Sequence, residues 1–359
     1  MSKPLKVFCA LSGGVDSATS AALLKKAGYD VTGIFMKNWA PDETNDSGCP
    51  WVKDQEDAQS VARALEMPFY TFDFQKEYKN KVVDYLFNGY AKGETPNPDT
   101  LCNREIKFGL FLNKALAMGA DMIATGHYAR VKHIGWLHSK EELLKGVDKN
   151  KDQSYFLWQL NQYQLAHTLF PIGHLTKPEV RKLAIRFKIP VATKPDSQGI
   201  CFVGKVKLAD FLEQRIQAKS GPVILLPENK IVANHDGAAF YTLGQRHGFG
   251  GGGGEAYFIV KKDINNNIIY VARKDYPELW SQEIRIHQLS WIDTQGPQKW
   301  PLKTTAKIRY RQADQQVTWR TKNKQELIGY FEKPQWTPTT GQSVVIYSGS
   351  KLLGGGIIQ

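Results

Sequence analysis

Short apolar runs alternate with amphipathic stretches over the first part of the chain. Because strands alternate their side chains with a period of two and helices with 3.6, the pattern separates the two kinds of element. It predicts strands at 6–11, 30–36, 69–72 and 120–124, and helices at 18–27, 53–65, 77–90 and 178–187. Such alternation is typical of a doubly wound parallel α/β sheet, whose ligands bind beyond the carboxyl ends of the strands.

The pattern changes near residue 208, where a last helix (208–218) is followed by short strands and turns. After a β-rich stretch, six strands are predicted at 284–289, 304–309, 316–321, 327–331, 343–347 and 355–358. Six short strands joined by turns favour a small barrel. We therefore expect an α/β domain at 1–207, a small β-rich central domain at 208–280 and a β-barrel domain at 281–359.

The turn after the first strand reads Ser12-Gly13-Gly14-Val15-Asp16-Ser17. Glycines let backbone N–H groups approach an anion, and a helix N-terminus, expected here near Ala18, adds partial positive charge. The loop lacks the Gly-Lys-Ser/Thr of a Walker A motif and the third glycine of a dinucleotide fingerprint. We expect it to bind a polyphosphate; the alternative is an ordinary strand-to-helix turn.

Composition fits a globular protein with an anionic partner. The chain has 359 residues, 42% hydrophobic and 23% charged, and a net charge of +12. Two regions, 174–219 with ten basic and four acidic residues and 301–359 with nine and three, are the most basic, which favours nucleic acid. The absence of a long apolar run and of a signal-peptide pattern predicts no membrane association and a cytoplasmic location.

The four cysteines form no C-x-x-C pair, which argues against a structural zinc site. Cys9 lies in an apolar strand and is expected in the core, and Cys49 is expected to be a passive thiol. Residues 37–50 are a polar stretch that suits either a lid over a nucleotide or a long surface loop.

The stretch 97–102 has helix-start chemistry. Asp99 or Thr100 can cap a helix beginning near Leu101, which would place Cys102 in the first turn. A thiol there has a lowered pKa, so Cys102 is either a reactive thiolate or a buried core residue. Cys201 lies between glycines in a loop-like stretch, which favours an accessible thiol.

Three further groups suit ligand contact. Gly126 at a strand end could admit a ribose or adenine, and His127 beside it could face substrate or bond a loop. Lys149 and Lys151 are available to phosphates. Arg309, Tyr310 and Arg311, expected in one strand, suit phosphate and base contacts or form a solvated face.

Together these motifs resemble the tRNA-specific 2-thiouridylases of the MnmA/TrmU type, within the ATP pyrophosphatases that carry a PP-loop. The resemblance rests on six motifs spread over most of the chain: 12–17, Asn97-Pro98-Asp99 with Cys102-Asn103, 125–128, 151–156, 199–204 and Tyr241-Thr242-Leu243-Gly244-Gln245-Arg246.

The resemblance implies ATP-dependent 2-thiolation of the wobble uridine, position 34, of tRNA. The C2 oxygen of the flipped base attacks the α-phosphate, giving an adenylated base and pyrophosphate. Cys201, loaded as a persulfide by a sulfur-relay protein, delivers sulfur to C2. Cys102 attacks the persulfide to release the sulfur, which leaves a transient Cys102–Cys201 disulfide. Asp99 is the implied general acid/base.

The implied ATP-binding residues are the loop and two positions near the adenosine: Ala10, Leu11, Ser12, Gly13, Gly14, Val15, Asp16, Ser17, Met36 and Gly126. The implied contacts to the target base and the tRNA are Asn97, Pro98, Asp99, His127, Lys151, Asp152, Gln153, Arg309, Tyr310 and Gln342. Mg²⁺ is expected with ATP, but no carboxylate pair identifies its ligands, and no pattern indicates an oligomeric state.

Two alternatives stay open. A PP-loop ligase acting on a small acid needs neither a cysteine pair nor a basic barrel. A non-catalytic tRNA-binding protein needs no intact nucleotide loop. Pyrophosphate release stimulated by tRNA, and not by amino acids, separates both from a thiouridylase.

Overall fold

The computed structural model describes residues 3–39, 50–134, 140–196, 208–247, 256–323 and 325–359. Cys49 and Cys201 lie outside these ranges, as does most of the 37–50 stretch, so the predictions made for them stay predictions.

The first part of the chain forms the predicted parallel sheet. Its strands are β1 (Lys6–Ala10), β2 (Asp30–Lys37), β3 (Phe69–Asp73), β4 (Met122–Ala124) and β7 (Thr168–Leu169). They lie in the order β3-β2-β1-β4-β7. Its helices are α1 (Val15–Lys26), α2 (Pro50–Ala64), α3 (Gln75–Tyr78), α4 (Asp84–Ala91), α5 (Pro98–Cys102), α6 (Leu112–Ala117), α7 (Gln162–Ala166) and α8 (Lys177–Arg186). The doubly wound α/β prediction is confirmed.

Side chains of β1 alternate between two cores, as the strand period requires. Val7 and Cys9 face the core that includes residues of α1, α2 and α8. Phe8 and Ala10 face a second core, which includes residues of the stretches 75–91 and 98–117. The expected core position of Cys9 is confirmed: it is fully buried, and burial raises the pKa of its thiol from 9.0 to about 12.

Two pairs of these helices are continuous. A π-helical segment (Lys79–Val83) joins α3 to α4, and a second one (Asn103–Phe111) joins α5 to α6. The first of the two continuous helices is the one predicted at 77–90. The second begins at Pro98 and not near Leu101, so the prediction that Cys102 lies in the first turn is wrong. Helix α1 likewise begins at Val15, three residues before the predicted Ala18.

A charged hairpin that the sequence pattern did not predict leaves the α/β region. Strands β5 (Ala129–Ile134) and β6 (Lys140–Lys145) pair antiparallel, and β6 extends the C-terminal sheet by pairing with its last strand. The α/β region and the barrel therefore share a sheet edge.

The central region is β-rich, as predicted. It begins with α9 (Leu208–Leu212), which ends six residues before the predicted boundary. Five strands follow: β8 (Gly221–Leu225), β9 (Lys230–His235), β10 (Arg246–His247), β11 (Tyr257–Asp263) and β12 (Ile268–Ala272). They form one sheet in the order β10-β11-β12-β8-β9.

All six C-terminal strands are found and close into a barrel, because the first also pairs with the last. They are β13 (Trp280–Trp291), β14 (Leu302–Lys307), β15 (Gln315–Asn323), β16 (Glu326–Trp336), β17 (Ser343–Ser348) and β18 (Lys351–Ile358). Trp319, Val344 and Ile346 fill the interior. Among the helices in the described ranges, none is long and apolar enough to cross a membrane.

Candidate active site

The 11–17 loop lies at the carboxyl end of β1, where doubly wound sheets bind ligands. Gly13 has φ +72°, and a Cβ there would lie 2.4 Å from the Asp54 carbonyl oxygen of α2, so only glycine fits. Gly14 is the N-cap of α1 and makes no side-chain capping bond. The first-turn N–H groups of α1 therefore have no side-chain cap and can face an anion.

Two hydroxyls brace this loop. The Ser12 N–H donates to Ser17 Oγ at 3.1 Å, the two hydroxyl oxygens are 3.2 Å apart, and Ser17 Oγ donates to the Gly14 carbonyl. Ser17 is buried, whereas Ser12 is exposed at the mouth of the loop. The arrangement is a rigid cradle with an accessible hydroxyl, which suits phosphate oxygens.

Asp16, in the first turn of α1, is fully engaged. Lys177 Nζ lies 2.8 and 2.9 Å from its two carboxylate oxygens, and the Tyr128 hydroxyl donates to Oδ1 at 2.8 Å. Lys177 also pairs with Asp196, which in turn binds Lys151 and Arg181. Although partial burial opposes it, hydrogen bonds from Lys151 and Lys177 lower the pKa of Asp196 to about 2.

Two other contacts fix the loop. Lys194 Nζ donates to the Gly13 carbonyl at 3.1 Å and to Asp54 and Asp57 of α2. Gly126, which follows β4, packs against α1: a Cβ there would lie 2.7 Å from the Ser17 nitrogen. The missing side chain of Gly126 is thus explained by helix packing beside the loop, and its predicted ATP contact stays a prediction.

Of the other predicted nucleotide positions, Leu11 and Val15 belong to the 11–17 loop, Ala10 is the last residue of β1 and Met36 lies on β2. The first three are buried in the sheet and helix cores. Met36 lies near the carboxyl end of β2 and packs partly buried on the second core.

Asn97 begins the helix that carries the predicted catalytic residues. Its side chain accepts from the N–H groups of Asp99 and Thr100, and Pro98 takes the first helical position, where its missing N–H costs nothing. The expected Asp99 or Thr100 cap is therefore wrong, and Asn97 is the cap. Cys102 is 5% exposed and packs in the second core.

Asp99 is partly buried near Lys107. Burial raises the pKa of the Asp99 carboxyl, and the Lys107 ammonium lowers it in part. A raised pKa keeps a carboxyl protonated to a higher pH than an exposed aspartate, which is the direction that a general acid/base requires.

His127 is buried between Phe108 and Phe170, and its Nδ1 lies 2.7 Å from the Thr125 hydroxyl. Burial, aided by Lys107, lowers the pKa of His127 well below its ordinary value. The ring is therefore neutral at pH 7.

The 151–153 stretch is held by polar contacts. The Asp152 carboxylate accepts from the Gly146 and Ser154 N–H groups, and Gln153 exchanges hydrogen bonds with the backbone of Tyr128. Lys151 pairs with Asp196 at 2.6 Å. The predicted tRNA contacts of these residues stay predictions.

Residues 309–311 lie in a turn after β14, so the prediction that they share a strand is wrong. Arg309 donates to the carbonyl and hydroxyl of Thr337, and the Tyr310 ring lies 4.4 Å from that of Phe156. The turn nevertheless faces the α/β region: Lys149, Lys151 and Arg311 line a cavity of about 270 Å³. Gln342 Nε2 donates to the Thr95 carbonyl at 2.7 Å.

Lys177 and Lys194 are the site residues that the sequence did not single out. The loop partner of Lys177, Asp16, is 161 residues away in the chain, and the carboxylate partners of Lys194 are at least 137 residues away, so no local pattern marks either lysine. One signal was available for Lys177: a lysine at the first position of a helix opposes the dipole and needs a carboxylate partner. No group of three or more metal-ligating side chains occurs within the described ranges.

Three family models together match most of the chain. The tRNA methyl transferase HUP domain matches residues 5–205, the tRNA methyl transferase PRC-barrel domain 209–273, and the aminomethyltransferase beta-barrel domain 281–358.

Curated relatives match over nearly the full length. The tRNA-specific 2-thiouridylase MnmA of Alkaliphilus oremlandii is 46% identical, over 99% of this chain and 97% of that protein. The proteins of the same name from Neisseria meningitidis serogroup B and Bacillus subtilis are 46% and 45% identical, over 99% and 98% of this chain and 96% and 94% of theirs. A solved 4-thiouridine synthetase–RNA complex with bound ATP is more distant, with 14% identity and a TM-score of 0.34 over 58% of this chain and 50% of that one.

Proposed function

The chain belongs to the MnmA family of tRNA-specific 2-thiouridylases, and we propose on that premise that it catalyses ATP-dependent 2-thiolation of the wobble uridine of tRNA. The observation that carries the proposal is the uncapped, glycine-shaped cradle of residues 11–17 at the carboxyl edge of the sheet. This cradle suits the phosphates of ATP, and membership of the family indicates that a tRNA uridine is the group to be activated.

In the proposed first step, the loop and the first-turn N–H groups of α1 hold the phosphates. The C2 oxygen of the flipped uridine attacks the α-phosphorus, and pyrophosphate leaves. Asp99 serves as general acid/base, supported by the burial that raises its pKa. Mg²⁺ would be held by the phosphate oxygens of ATP, as is usual for this ion where it accompanies a nucleotide.

In the second step, the outer sulfur of a Cys201 persulfide attacks C2 and AMP leaves, so that this sulfur bridges Cys201 and the base. The Cys102 thiolate then attacks Cys201 Sγ, the bond between the two persulfide sulfurs breaks, and the outer sulfur stays on C2 as 2-thiouridine. An external thiol reductant reduces the resulting Cys102–Cys201 disulfide before the next cycle. The proposal includes a protein that donates the persulfide sulfur to Cys201. It also includes a cytoplasmic location, because that is where the tRNA substrate is found.

The basic surface supports tRNA as the substrate. The cavity lined by Lys149, Lys151 and Arg311 joins two sequence regions predicted to contact tRNA, one in the α/β region and one after β14. Such a cationic recess suits backbone phosphates, whose neutralisation dominates nucleic-acid affinity.

Nucleoside mass spectrometry of tRNA tests the proposal. We expect incubation with ATP, Mg²⁺ and a persulfide donor to yield 2-thiouridine and pyrophosphate. Cys102→Ser and Cys201→Ser should abolish the product, while Cys9→Ala, a change at the buried core cysteine, should retain it. Full activity of Cys201→Ser with the persulfide donor would contradict the persulfide role.

Two further arms address other activities. The names of two matching family models mention methyl transfer. In one arm, S-adenosylmethionine therefore replaces ATP. A methylated nucleoside in that arm would overturn the proposal. In the other arm, amino acids replace tRNA, and pyrophosphate release stimulated by them would indicate a small-acid ligase.

A further inference from the structure

Lys177 connects the nucleotide loop to a second carboxylate outside it. Its ammonium lies within 2.9 Å of both oxygens of Asp16 and 2.8 Å from Asp196, and its side chain is 11% exposed. We propose that Lys177 is a positioning residue of the nucleotide site, which acts through Asp16 to keep the loop receptive to phosphate. The inference rests on the proposed use of ATP.

The location of Lys177 indicates that the pairing is selected and not incidental. It occupies the first position of α8, between the two members of the Thr176–Glu179 capping box, where the helix dipole disfavours a cation. Burying an ammonium costs free energy unless it is paired and hydrogen-bonded. Asp16 and Asp196 supply that pairing.

The nucleotide loop has a specific need for this cation. It contains an aspartate and no lysine of its own, and Lys194 beside it is paired with Asp54 and Asp57. Without Lys177, the ATP phosphates would therefore meet the negative charge of Asp16 uncompensated. An untethered Asp16 carboxylate could also bond the first-turn N–H groups of α1 that a phosphate would use. The Lys177 ammonium neutralises the carboxylate and binds both its oxygens, and the Tyr128 hydroxyl donates a further hydrogen bond to Oδ1.

The ion pair between Lys177 and Asp196 links the nucleotide loop to a second part of the proposed site. Asp196 stands five residues before Cys201 in the sequence, and Lys151 and Arg181 hold it together with Lys177. Lys177 thus joins the nucleotide loop to the chain that leads to the predicted persulfide cysteine.

Binding of Mg²⁺–ATP without tRNA, measured by equilibrium titration, tests the inference. We expect Lys177→Met to raise the Kd about tenfold or more, because an unpaired Asp16 charge remains beside the phosphates. Lys177→Arg should restore the Kd to within about threefold, since the charge is retained. Lys182→Met, at an exposed lysine on the same helix, should leave it unchanged.

A second set separates action through Asp16 from direct phosphate contact. In an Asp16→Asn background no charge is left unpaired, so adding Lys177→Met should cost less than about threefold in Kd. An equal loss in both backgrounds would overturn the positioning role, as would an unchanged Kd for Lys177→Met. The double variant also answers the case in which Lys177→Met alone does not fold.

This test and that of the proposed function fail in different ways. If the wild-type chain binds ATP with the expected Lys177 dependence but forms no 2-thiouridine, the proposed reaction is wrong and the inference holds. If the wild-type chain does not bind ATP, both are overturned.

Discussion

Lys262, on β11, carries a charge that its surroundings disfavour. Its ammonium donates to the Tyr241 carbonyl at 2.6 Å, and burial lowers its pKa from 10.5 to about 8. The unfolded chain holds this proton up to a higher pH than the folded chain does. Folding therefore carries a penalty that is full below about pH 8 and fades towards pH 10.5, at most about 3 kcal/mol.

We expect Lys262→Met to raise the free energy of unfolding at pH 7 by about 1–2 kcal/mol, after the loss of the hydrogen bond to Tyr241. The gain should shrink towards zero at pH 10. Urea unfolding at both pH values measures it, with Lys261→Met, at the exposed neighbouring lysine, as the control. A gain that is the same at both pH values would contradict the assignment to the buried charge.

Single residues differ in how far sequence alone could place them. The core position of Cys9 was predictable, because a strand whose neighbouring residues are all apolar is buried on both faces. Lys177 was not predictable, because its role depends on Asp16, which folding brings to it from 161 residues away. Residues 12–17 were predictable in part. Their glycines and serines indicate a phosphate-binding loop, but they do not indicate which residue neutralises the aspartate of that loop.

At the scale of elements, the helix carrying Asp99 and Cys102 depends on its Asn97 cap. Asn97→Ala removes the acceptor for the Asp99 and Thr100 N–H groups and should lower the free energy of unfolding by about 1 kcal/mol. Asn97→Ser keeps a capping oxygen and should stay within a few tenths of the wild type.

The same pair of variants tests the predicted base contact of Asn97. Because Oδ1 serves the cap, the amide nitrogen is the group that can reach substrate. Asn97→Ser should therefore fold like the wild type and still raise the KM for tRNA, as steady-state thiolation kinetics would report. An unchanged KM would leave Asn97 as a cap alone.

The parallel strands and the barrel were predictable because their apolar patterns match their burial. The β5–β6 hairpin was missed because its strands, ARVKHI and KEELLK, are charged. They become strands because they pair with each other and because β6 also pairs with β18. The 309–311 stretch was wrongly predicted to be a strand, because it directly follows one in the sequence. In the structure Arg311 has a φ of +64°, and the chain turns there. Both depend on tertiary context, which overrides local preference.

At the scale of the whole molecule, three regions meet at the segment just before Asn97. The Thr95 N–H donates to the Thr340 carbonyl of the barrel domain, and its hydroxyl lies 3.4 Å from that of Thr242 in the central region. Gly341 packs against the same segment: a Cβ there would lie 3.1 Å from the Thr95 nitrogen. The barrel therefore helps to set where the Asn97–Cys102 helix begins.

Gln342 completes this junction by donating to the Thr95 carbonyl at 2.7 Å. Gln342→Leu keeps the size of the side chain but leaves that buried carbonyl without its donor, which costs about 1–3 kcal/mol. We expect kcat for thiolation to fall about tenfold while the Kd for tRNA changes less than about threefold, because the segment before Asn97 shifts and the basic surface does not. Gln316→Leu, at an exposed glutamine of β15, is the control. A weaker tRNA affinity with unchanged kcat would instead place Gln342 among the tRNA contacts, as its sequence motif implies.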